Sequence, residues 1–111
     1  RETLARAIAN SLCVGAYRDG AQVGFARVVT DRATFAYLAD VFVLPEHGGK
    51  GLGKALVTAL HDHPDLQDLR RWMLATKDAH GVYAALGWQP IVQPELFMQR
   101  HDPDVYLRGA A

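Results

Sequence analysis

The sequence LPEHGGKGLGKALVTALHDH, at residues 44–63, places four glycines within six positions, directly before a helical pattern. Glycine costs roughly 0.5–1 kcal/mol per site within regular structure, so we expect these glycines to serve a specific purpose. The apolar residues that follow recur at the spacing of one helical face; they are Leu52, Ala55, Leu56, Ala59 and Leu60. Pro64 is expected to end this helix.

A glycine-rich turn before a helix is physically suited to binding an anion. Glycine allows close approach of the backbone, and the free N–H groups and dipole of the helix start attract negative charge. Lys50 and Lys54 add positive charge. The turn therefore predicts a phosphate or pyrophosphate site, and the alternative from the pattern alone is a flexible loop. A nucleotide P-loop is disfavoured because Ala55 follows the lysine where that motif has Ser or Thr.

A short helix and three strands are predicted before the glycines. Apolar residues four positions apart indicate a helix over roughly the first ten residues; they are Leu4, Ile8 and Leu12. Asp19 and Gly20 supply the positive φ angles of a tight hairpin between strands near 11–18 and 22–30. The apolar run TFAYLADVFVL, at 34–44, predicts a central strand covered on both faces.

After the glycines, the pattern predicts one strand, one helix and two weaker strands. RRWMLAT, at 70–76, indicates a strand. The next helical spacing is formed by Ala79, Val82, Tyr83 and Leu86. Gly87 stands where a left-handed C-cap belongs, and short strands are expected near 88–92 and 96–101. The order predicts an α/β (α+β) fold with a mixed, mostly antiparallel central sheet flanked by helices, as a single domain over 1–111.

The overall charge argues against two classes of partner. Twelve Lys plus Arg balance twelve Asp plus Glu, whereas nucleic-acid and anionic-membrane binding usually need a basic surface. The one cysteine, Cys13, cannot form an internal disulfide and is expected to be a buried apolar residue. This cysteine usage fits a reducing cytoplasm, so a cytoplasmic protein is expected. No apolar run approaches the roughly 20 residues of a membrane span.

Two motifs carry a family resemblance. VLPEHGGKGLGKAL, at 43–56, resembles the acetyl-CoA-binding motif of the GNAT superfamily, in which Val-x-Pro leads to Arg/Gln-x-x-Gly-x-Gly/Ala and a helix. ATKDAHGVYAALGW, at 75–88, resembles the family's next block, a strand and then a helix with a tyrosine, a glycine and an aromatic residue. The resemblance covers roughly residues 10–102. Within the family, the chain resembles a group of small bacterial GNAT proteins. The resemblance implies an N-acetyltransferase that uses acetyl-CoA as cosubstrate, without a metal, and a small-molecule or amino-acid-like primary amine as acceptor.

The resemblance also implies a role for each matching position. Backbone groups of Val41, Phe42 and Val43 would bind the pantetheine arm. Amides of the glycine stretch would bind the pyrophosphate; the stretch comprises Gly48, Gly49, Lys50, Gly51, Leu52, Gly53 and Lys54. Tyr83 would sit beside the thioester sulfur and donate a proton to departing CoA, while a backbone N–H near Val41 would stabilise the oxyanion.

The catalytic residues each have a structural alternative. Tyr83 lies on an apolar stripe, so the pattern alone favours a core residue. Asp40 is the lone charge in an apolar strand, and it is expected to be buried. A buried carboxylate could accept the amine's proton, directly or through water. The structural alternative is a carboxylate that bonds nearby backbone or a strand partner. Asp78 is expected to cap the helix that bears Tyr83. His80 is a further titratable candidate on a face that the sequence does not define.

Two departures from the family pattern bear on activity. Gly48 replaces the family's Arg or Gln, which predicts weaker CoA binding. The family usually has another strand and helix before the point where this sequence starts, so we expect that segment to be absent, disordered or removed and the resemblance to be N-terminally incomplete. The acceptor cleft is then open or covered by a partner, and a homodimer is one possibility. The alternative function is a non-catalytic or weakened CoA-binding interaction module with a GNAT fold.

Three aromatic or histidine-rich features have simple interpretations. HDHPD, at 61–65, is interpreted as a solvated helix end, because residues at i and i+2 do not share a helix face and so do not form a metal site. Trp72 and Trp88 are expected to be core or pocket-wall residues, since the neutral chain does not favour a base-stacking surface.

Overall fold

The computed structural model describes residues 2–108 and arranges them as three α-helices around one sheet. The elements are α1 (Glu2–Ala9), β1 (Leu12–Arg18), β2 (Ala21–Thr30), β3 (Phe35–Val43), α2 (Leu52–His61), β4 (Arg71–Met73) and α3 (His80–Ala84). Short 3-10 turns lie at Pro45–His47, Pro64–Leu66, Pro94–Leu96 and Val105–Arg108. None of the described helices is long and apolar enough to cross a lipid bilayer.

The sheet has the order β1-β2-β3-β4, with two antiparallel pairings and one parallel pairing between β3 and β4. Asp19 and Gly20 have φ angles of 52° and 83°, so the predicted hairpin turn is confirmed. The parallel pair is joined through α2, because parallel strands need a long crossover. This mixed, mostly antiparallel sheet with flanking helices confirms the predicted fold class.

A β-bulge between β2 and β3 decides which side chains of β3 face the core. Arg27 pairs with Asp40 while its neighbour Val28 pairs with Leu38, so Ala39 is the extra residue. Without the bulge, the regular alternation of the strand would place Asp40 on the same buried face as Leu38. The bulge instead returns Val41 to the core side, where it packs against the buried cluster.

The prediction that β3 is covered on both faces is wrong. Ala36 and Leu38 are buried beneath α2, whereas Tyr37 and Phe42, on the other face, are 37% and 53% exposed. The helix at the N-terminus does not close that face, since none of the residues of α1 is buried. The apolar composition of the strand therefore led to a prediction of more burial than the structure has.

The core forms between α2 and one face of the sheet. Leu56, Val57 and Leu60 are the buried residues of α2. Ala55 and Ala59, which the sequence pattern placed on the buried stripe, are exposed. Val57 takes the place of the alanines because a larger side chain removes more apolar surface from water, at roughly 25 cal/mol per Å².

The C-terminal part differs most from its prediction. β4 extends over three residues, fewer than the predicted 70–76, and the described residues from 88 to 108 contain no strand. The strands expected near 88–92 and 96–101 are wrong. Pro90 and Pro94 lack the N–H that a ladder needs, and Pro94 begins a 3-10 turn.

The left-handed conformation predicted for Gly87 is confirmed, although α3 itself ends at Ala84 with Ala85 as its C-cap residue. Gly87 has a φ of 100°, a conformation that glycine adopts readily. The Gly87 N–H donates to the Ala84 carbonyl at 3.1 Å and the Trp88 N–H to the Tyr83 carbonyl at 3.1 Å, which is the Schellman pattern. This cap turns the chain back, so that Trp88 lies beside Tyr83.

We expect the substitution Leu60→Ala to lower the free energy of unfolding by about 2–5 kcal/mol, because it leaves a cavity at a side chain with 0% exposure. Urea denaturation monitored by circular dichroism measures this change. The matched control is Leu4→Ala, at a leucine that is 57% exposed, for which we expect a change within about 0.5 kcal/mol. Equal effects of the two substitutions would contradict the described core.

Candidate functional site

The strands β3 and β4 separate after a short common stretch. They pair only at Phe35–Arg71, Ala36–Trp72 and Tyr37–Met73. Beyond this point, Val41 to Val43 pair with β2 on one side, and no strand described between residues 2 and 108 pairs with their other edge. The backbone groups on that open edge are therefore available to an extended ligand, which could add to the sheet like a further strand.

A cavity of about 110 Å³ lies beside this open edge. Its lining comes from β3, α2 and the region of α3; the residues are Val41, Gly53, Lys54, Val57, Ala79, Val82, Tyr83 and Leu86. Three separate sequence motifs thus meet at one place: the central strand through Val41, the glycine stretch through Gly53, and the tyrosine helix through Tyr83. The walls are largely apolar, and Lys54 supplies a positive charge.

Only some positions in the glycine stretch have a backbone conformation that requires glycine. Gly49 and Gly51 have φ angles of 75° and 78°, in the left-handed region that L side chains rarely adopt. Gly48 has φ −70° and ψ 161°, an extended conformation open to any residue. A Cβ at Gly53 would meet nothing within 4 Å, so the absence of a side chain there leaves space in the cavity.

The start of α2 presents free amide groups. The Ala55 N–H donates to the Gly51 carbonyl at 3.0 Å, whereas the first three helical N–H groups have no intrahelical acceptor. Gly51 is the N-cap residue and makes no side-chain cap hydrogen bond. With the exposed Lys50 and Lys54 nearby in the chain, this helix start can attract an anionic group.

Tyr83 forms part of the wall of two cavities. It lines the 110 Å³ cavity and a second one of about 440 Å³, and it also packs against the core. Burial raises the pKa of Tyr83 above its usual value of 10.0. The phenol is therefore protonated at neutral pH, and it is a better hydrogen-bond donor than a proton source. With ordinary pKa values of ~10 for tyrosine and ~8.5 for a thiol, transfer to a thiolate is already unfavourable by roughly 2 kcal/mol.

The prediction that Asp40 is a buried group is wrong. Its side chain is 47% exposed, and its carboxylate accepts a hydrogen bond from Arg27 Nε at 2.6 Å. Arg27 also donates to Ser11 Oγ at 3.0 Å, so the ion pair is anchored to the residue that precedes β1. Because successive side chains of a strand point to opposite faces, Asp40 faces away from the cavity that Val41 lines. Of its two interpretations, the bond to a strand partner is the one observed.

Asp78 and His80 also differ from expectation. The prediction that Asp78 caps α3 is wrong, because Ala79 is the N-cap residue and makes no side-chain cap hydrogen bond. The Ala79 N–H donates instead to Thr76 Oγ1 at 3.2 Å. His80, whose face the sequence left open, lines the 440 Å³ cavity together with Tyr83.

An aromatic cluster that the sequence did not reveal lies behind Tyr83. His61 Nε2 accepts a hydrogen bond from Trp88 Nε1 at 3.1 Å, and its ring meets Trp72 edge to face at a centroid distance of 5.0 Å. Trp88 in turn contacts the Tyr83 ring at 5.9 Å. Both tryptophans are half-buried and line the 440 Å³ cavity, as their pocket-wall interpretation predicts. Residues 61, 72, 83 and 88 are too far apart in sequence for any local pattern to associate them.

His63 and Cys13 have local structural roles in the described part of the chain. His63 Nδ1 accepts from the Asp65 N–H at 3.0 Å, so it caps the turn that follows α2. Within residues 2–108, no group of three or more His, Cys, Asp or Glu side chains could hold a metal ion. Cys13 is half-buried, not fully buried as expected, and burial raises the pKa of its thiol.

Comparison with known proteins identifies the family of this site. The family model described as the acetyltransferase (GNAT) domain matches residues 9–90. A Gibberella zeae protein, named as an acetyltransferase by similarity, is 36% identical over 91 residues, which cover 65% of this chain and 51% of that protein. The chain thus spans about half the length of this relative.

Solved structures show the same fold. A Xanthomonas campestris pv. campestris protein assigned to the GNAT family has a TM-score of 0.91 and 57% identity, over 95% of this chain and 74% of that one. A GNAT family protein from Streptococcus pneumoniae has a TM-score of 0.73 at 24% identity, over 92% and 77%. An aminoglycoside N-acetyltransferase solved in complex with CoA has a TM-score of 0.63 at 20% identity, over 85% and 68%.

The family model covers most of the chain, including β1 to β4 and the helix of Tyr83. It therefore spans every element that lines the cleft between the separated strands. The chain belongs to the GNAT family of acetyltransferases.

Proposed function

We propose that this protein is an acyltransferase that moves the acetyl group of acetyl-CoA to a primary amine of a small molecule or an amino-acid-like acceptor. The observation that carries the proposal is the meeting of Val41, Gly53 and Tyr83 at one cavity beside the open edge of β3. Membership of the GNAT family supports the reaction class, and the CoA complex of a protein of the same fold supports the cosubstrate.

Acetyl-CoA would bind across the separated strands. Its pantetheine arm would pair with the open backbone edge of Val41, Phe42 and Val43, which β2 leaves free on one side. Its pyrophosphate would accept hydrogen bonds from the amides at the start of α2, within the stretch from Gly48 to Lys54. The left-handed backbone of Gly49 and Gly51 turns the chain so that these amides are accessible.

The transfer would proceed by direct attack of the neutral amine on the thioester carbonyl. The new C–N bond moves an electron pair onto the carbonyl oxygen, which a backbone N–H near Val41 would stabilise. The C–S bond then breaks, and the CoA thiolate leaves against the hydroxyl of Tyr83. Since burial raises the pKa of Tyr83, we assign it a hydrogen bond to the departing sulfur and not full proton transfer.

The amine's proton needs an acceptor within reach of the acetyl group. His80 lines the 440 Å³ cavity with Tyr83, so we place the acceptor role there. Asp40, the acceptor expected from the sequence, could act only through water, because it is paired with Arg27 on the opposite face of β3.

The second candidate is a non-catalytic, weakly CoA-binding module. Gly48 favours it, because the backbone there does not require glycine and the side chain that the family places at this position is missing. Thermal shift with acetyl-CoA, CoA and ATP tests the binding specificity. A thiol-release assay over a panel of primary amines then separates an enzyme from a binder, since binding without thiol release would support the module.

For Tyr83→Phe we expect kcat to fall about 10- to 100-fold, because a hydrogen bond to a charged group contributes roughly 1.5–3 kcal/mol. The affinity for acetyl-CoA, measured by calorimetry, should stay within about twofold, since the phenyl ring keeps the cavity wall. The control is Tyr106→Phe, at a tyrosine that is 76% exposed. An unchanged kcat in Tyr83→Phe would remove this residue from the mechanism.

For Gly53→Leu we expect loss of acetyl-CoA binding together with an unfolding free energy that is unchanged or higher. The new side chain enters open space in the cavity, and leucine is a better helix former than glycine by roughly 0.8 kcal/mol. Gly53→Ala is the matched control, because a methyl group leaves most of the space free. Calorimetry and urea denaturation separate the two effects, and tight binding by the leucine variant would place the ligand elsewhere.

For Gly48→Arg we expect CoA to bind about tenfold more tightly, because a guanidinium makes charge-assisted hydrogen bonds to phosphate. The backbone permits the change, although the new Cβ would lie 3.3 Å from the Pro45 carbonyl oxygen. Gly48→Met controls for the loss of glycine without adding charge. Equal affinity of the arginine variant and the unsubstituted protein would contradict a pyrophosphate at this turn.

A further inference from the structure

Trp88 is held by hydrogen bonds from both its backbone and its ring. Its backbone N–H donates to the Tyr83 carbonyl at 3.1 Å, within the cap that Gly87 makes possible. Its ring N–H donates to His61 Nε2 at 3.1 Å. Between these two anchors the ring contacts Tyr83 at a centroid distance of 5.9 Å and an interplanar angle of 65°.

His61 is itself held by its surroundings. It is the last residue of α2, one position after the fully buried Leu60. Its ring meets Trp72 edge to face at 5.0 Å, and Gln67 Nε2 donates to its backbone carbonyl at 2.9 Å. The orientation of the imidazole is therefore set by α2 and β4, which belong to the core and the sheet.

We propose that His61 is a positioning residue for acyl transfer: it holds the indole of Trp88, and through it the ring of Tyr83, at the wall shared by the two cavities. The inference rests on the proposed function, because it concerns the role assigned there to Tyr83. His61 is not in the lining of either the 110 Å³ or the 440 Å³ cavity, so it acts through Trp88 and not on the substrate.

The hydrogen bond requires a neutral imidazole. Nε2 can accept from the indole N–H only when it carries no proton, since both nitrogens of a protonated histidine are donors. Burial lowers the pKa of His61 from 6.5, and the nearby Asp62 opposes that shift. Arg70 and Arg71 are further charged groups near the imidazole, and they line a cavity of about 300 Å³ with His61 and Trp88. Tyr83 is the titratable group on the far side of Trp88.

The lowered pKa of His61 determines how the stability of the fold changes with pH. Because the folded protein favours the neutral imidazole, the unfolded chain binds more protons once the pH falls below about 6.5. The contribution of His61 to stability is thus complete above that pH, and it is lost as the pH falls through the lower pKa of the folded state. We expect the hydrogen bond that orients Tyr83 to be lost over the same acidic pH range, and kcat to fall with it.

The test compares His61→Phe with His61→Gln, using His101→Phe as the matched control at an exposed histidine outside the cluster. Phenylalanine keeps a ring against Trp72 but offers no acceptor, whereas the glutamine amide oxygen can accept from the Trp88 indole and does not titrate. We expect kcat to fall about tenfold in His61→Phe, as for the loss of one hydrogen bond that orients the catalytic group. The affinity for acetyl-CoA should remain within about twofold, and His61→Gln should recover most of kcat.

The pH profile of kcat supplies a readout that a purely structural role would not move. The proposed proton acceptor gives kcat an acidic limb of its own, so the readout is the difference between the profiles: the unsubstituted protein and His101→Phe should share a further loss of kcat at acidic pH that His61→Gln lacks. Equal kcat in His61→Phe and the unsubstituted protein would overturn the proposal. Equal losses in both His61 variants, or an acidic limb in His61→Gln identical to that of the unsubstituted protein, would do so as well.

A measurement without turnover separates this inference from the proposed function. In nitrogen-15-labelled protein, the indole N–H resonance of Trp88 and the ring resonances of Tyr83 should shift in His61→Phe and return towards their original positions in His61→Gln. If no amine is acetylated by the unsubstituted protein, the proposed function fails and these resonances still decide whether His61 orients Tyr83. Tyr83 resonances that do not change in His61→Phe would overturn the positioning role regardless of activity.

Discussion

The limited pairing of β3 with β4 is the constraint on which the site depends. The two parallel strands share three residue pairs and then separate, so the second half of β3 keeps one unpaired edge. A backbone edge in the middle of a sheet is unusual because its polar groups need partners. Here the opening faces the cavity of Val41, Gly53 and Tyr83, where an extended ligand could supply them.

The bulge in β3 decides that an apolar side chain, and not a carboxylate, lies beside that opening. By adding Ala39 to the strand, it sends Asp40 to the face of Arg27 and leaves Val41 beside α2. A regular strand would put a carboxylate next to the site proposed for an anionic cosubstrate. The same shift explains why the acidic residue within an apolar strand is not buried and does not line the cavity of Tyr83.

Tyr83 connects the core, the two cavities and the aromatic cluster. A tyrosine that only filled the core would need no open space beside its ring, yet Tyr83 borders cavities on two sides. Its support comes from the cap at Gly87 and from the ring of Trp88, which His61 holds from the end of α2. The helix start at the glycine stretch and the helix end at His61 thus bear on the same site from opposite ends of α2.

Local patterns in the sequence determined the family and the elements up to the helix of Tyr83, apart from the length of β4. The hairpin at Asp19 and Gly20, the glycine turn before α2 and the C-cap at Gly87 each depend on backbone conformations that few residues adopt, so short stretches were sufficient to predict them. Tertiary structure alone decided which faces are buried, how far the strands pair and which distant residues meet. The exposure of Tyr37, the turn of Asp40 away from the cavity and the approach of His61 to Trp88 arise from packing between elements, and a linear pattern does not contain that information.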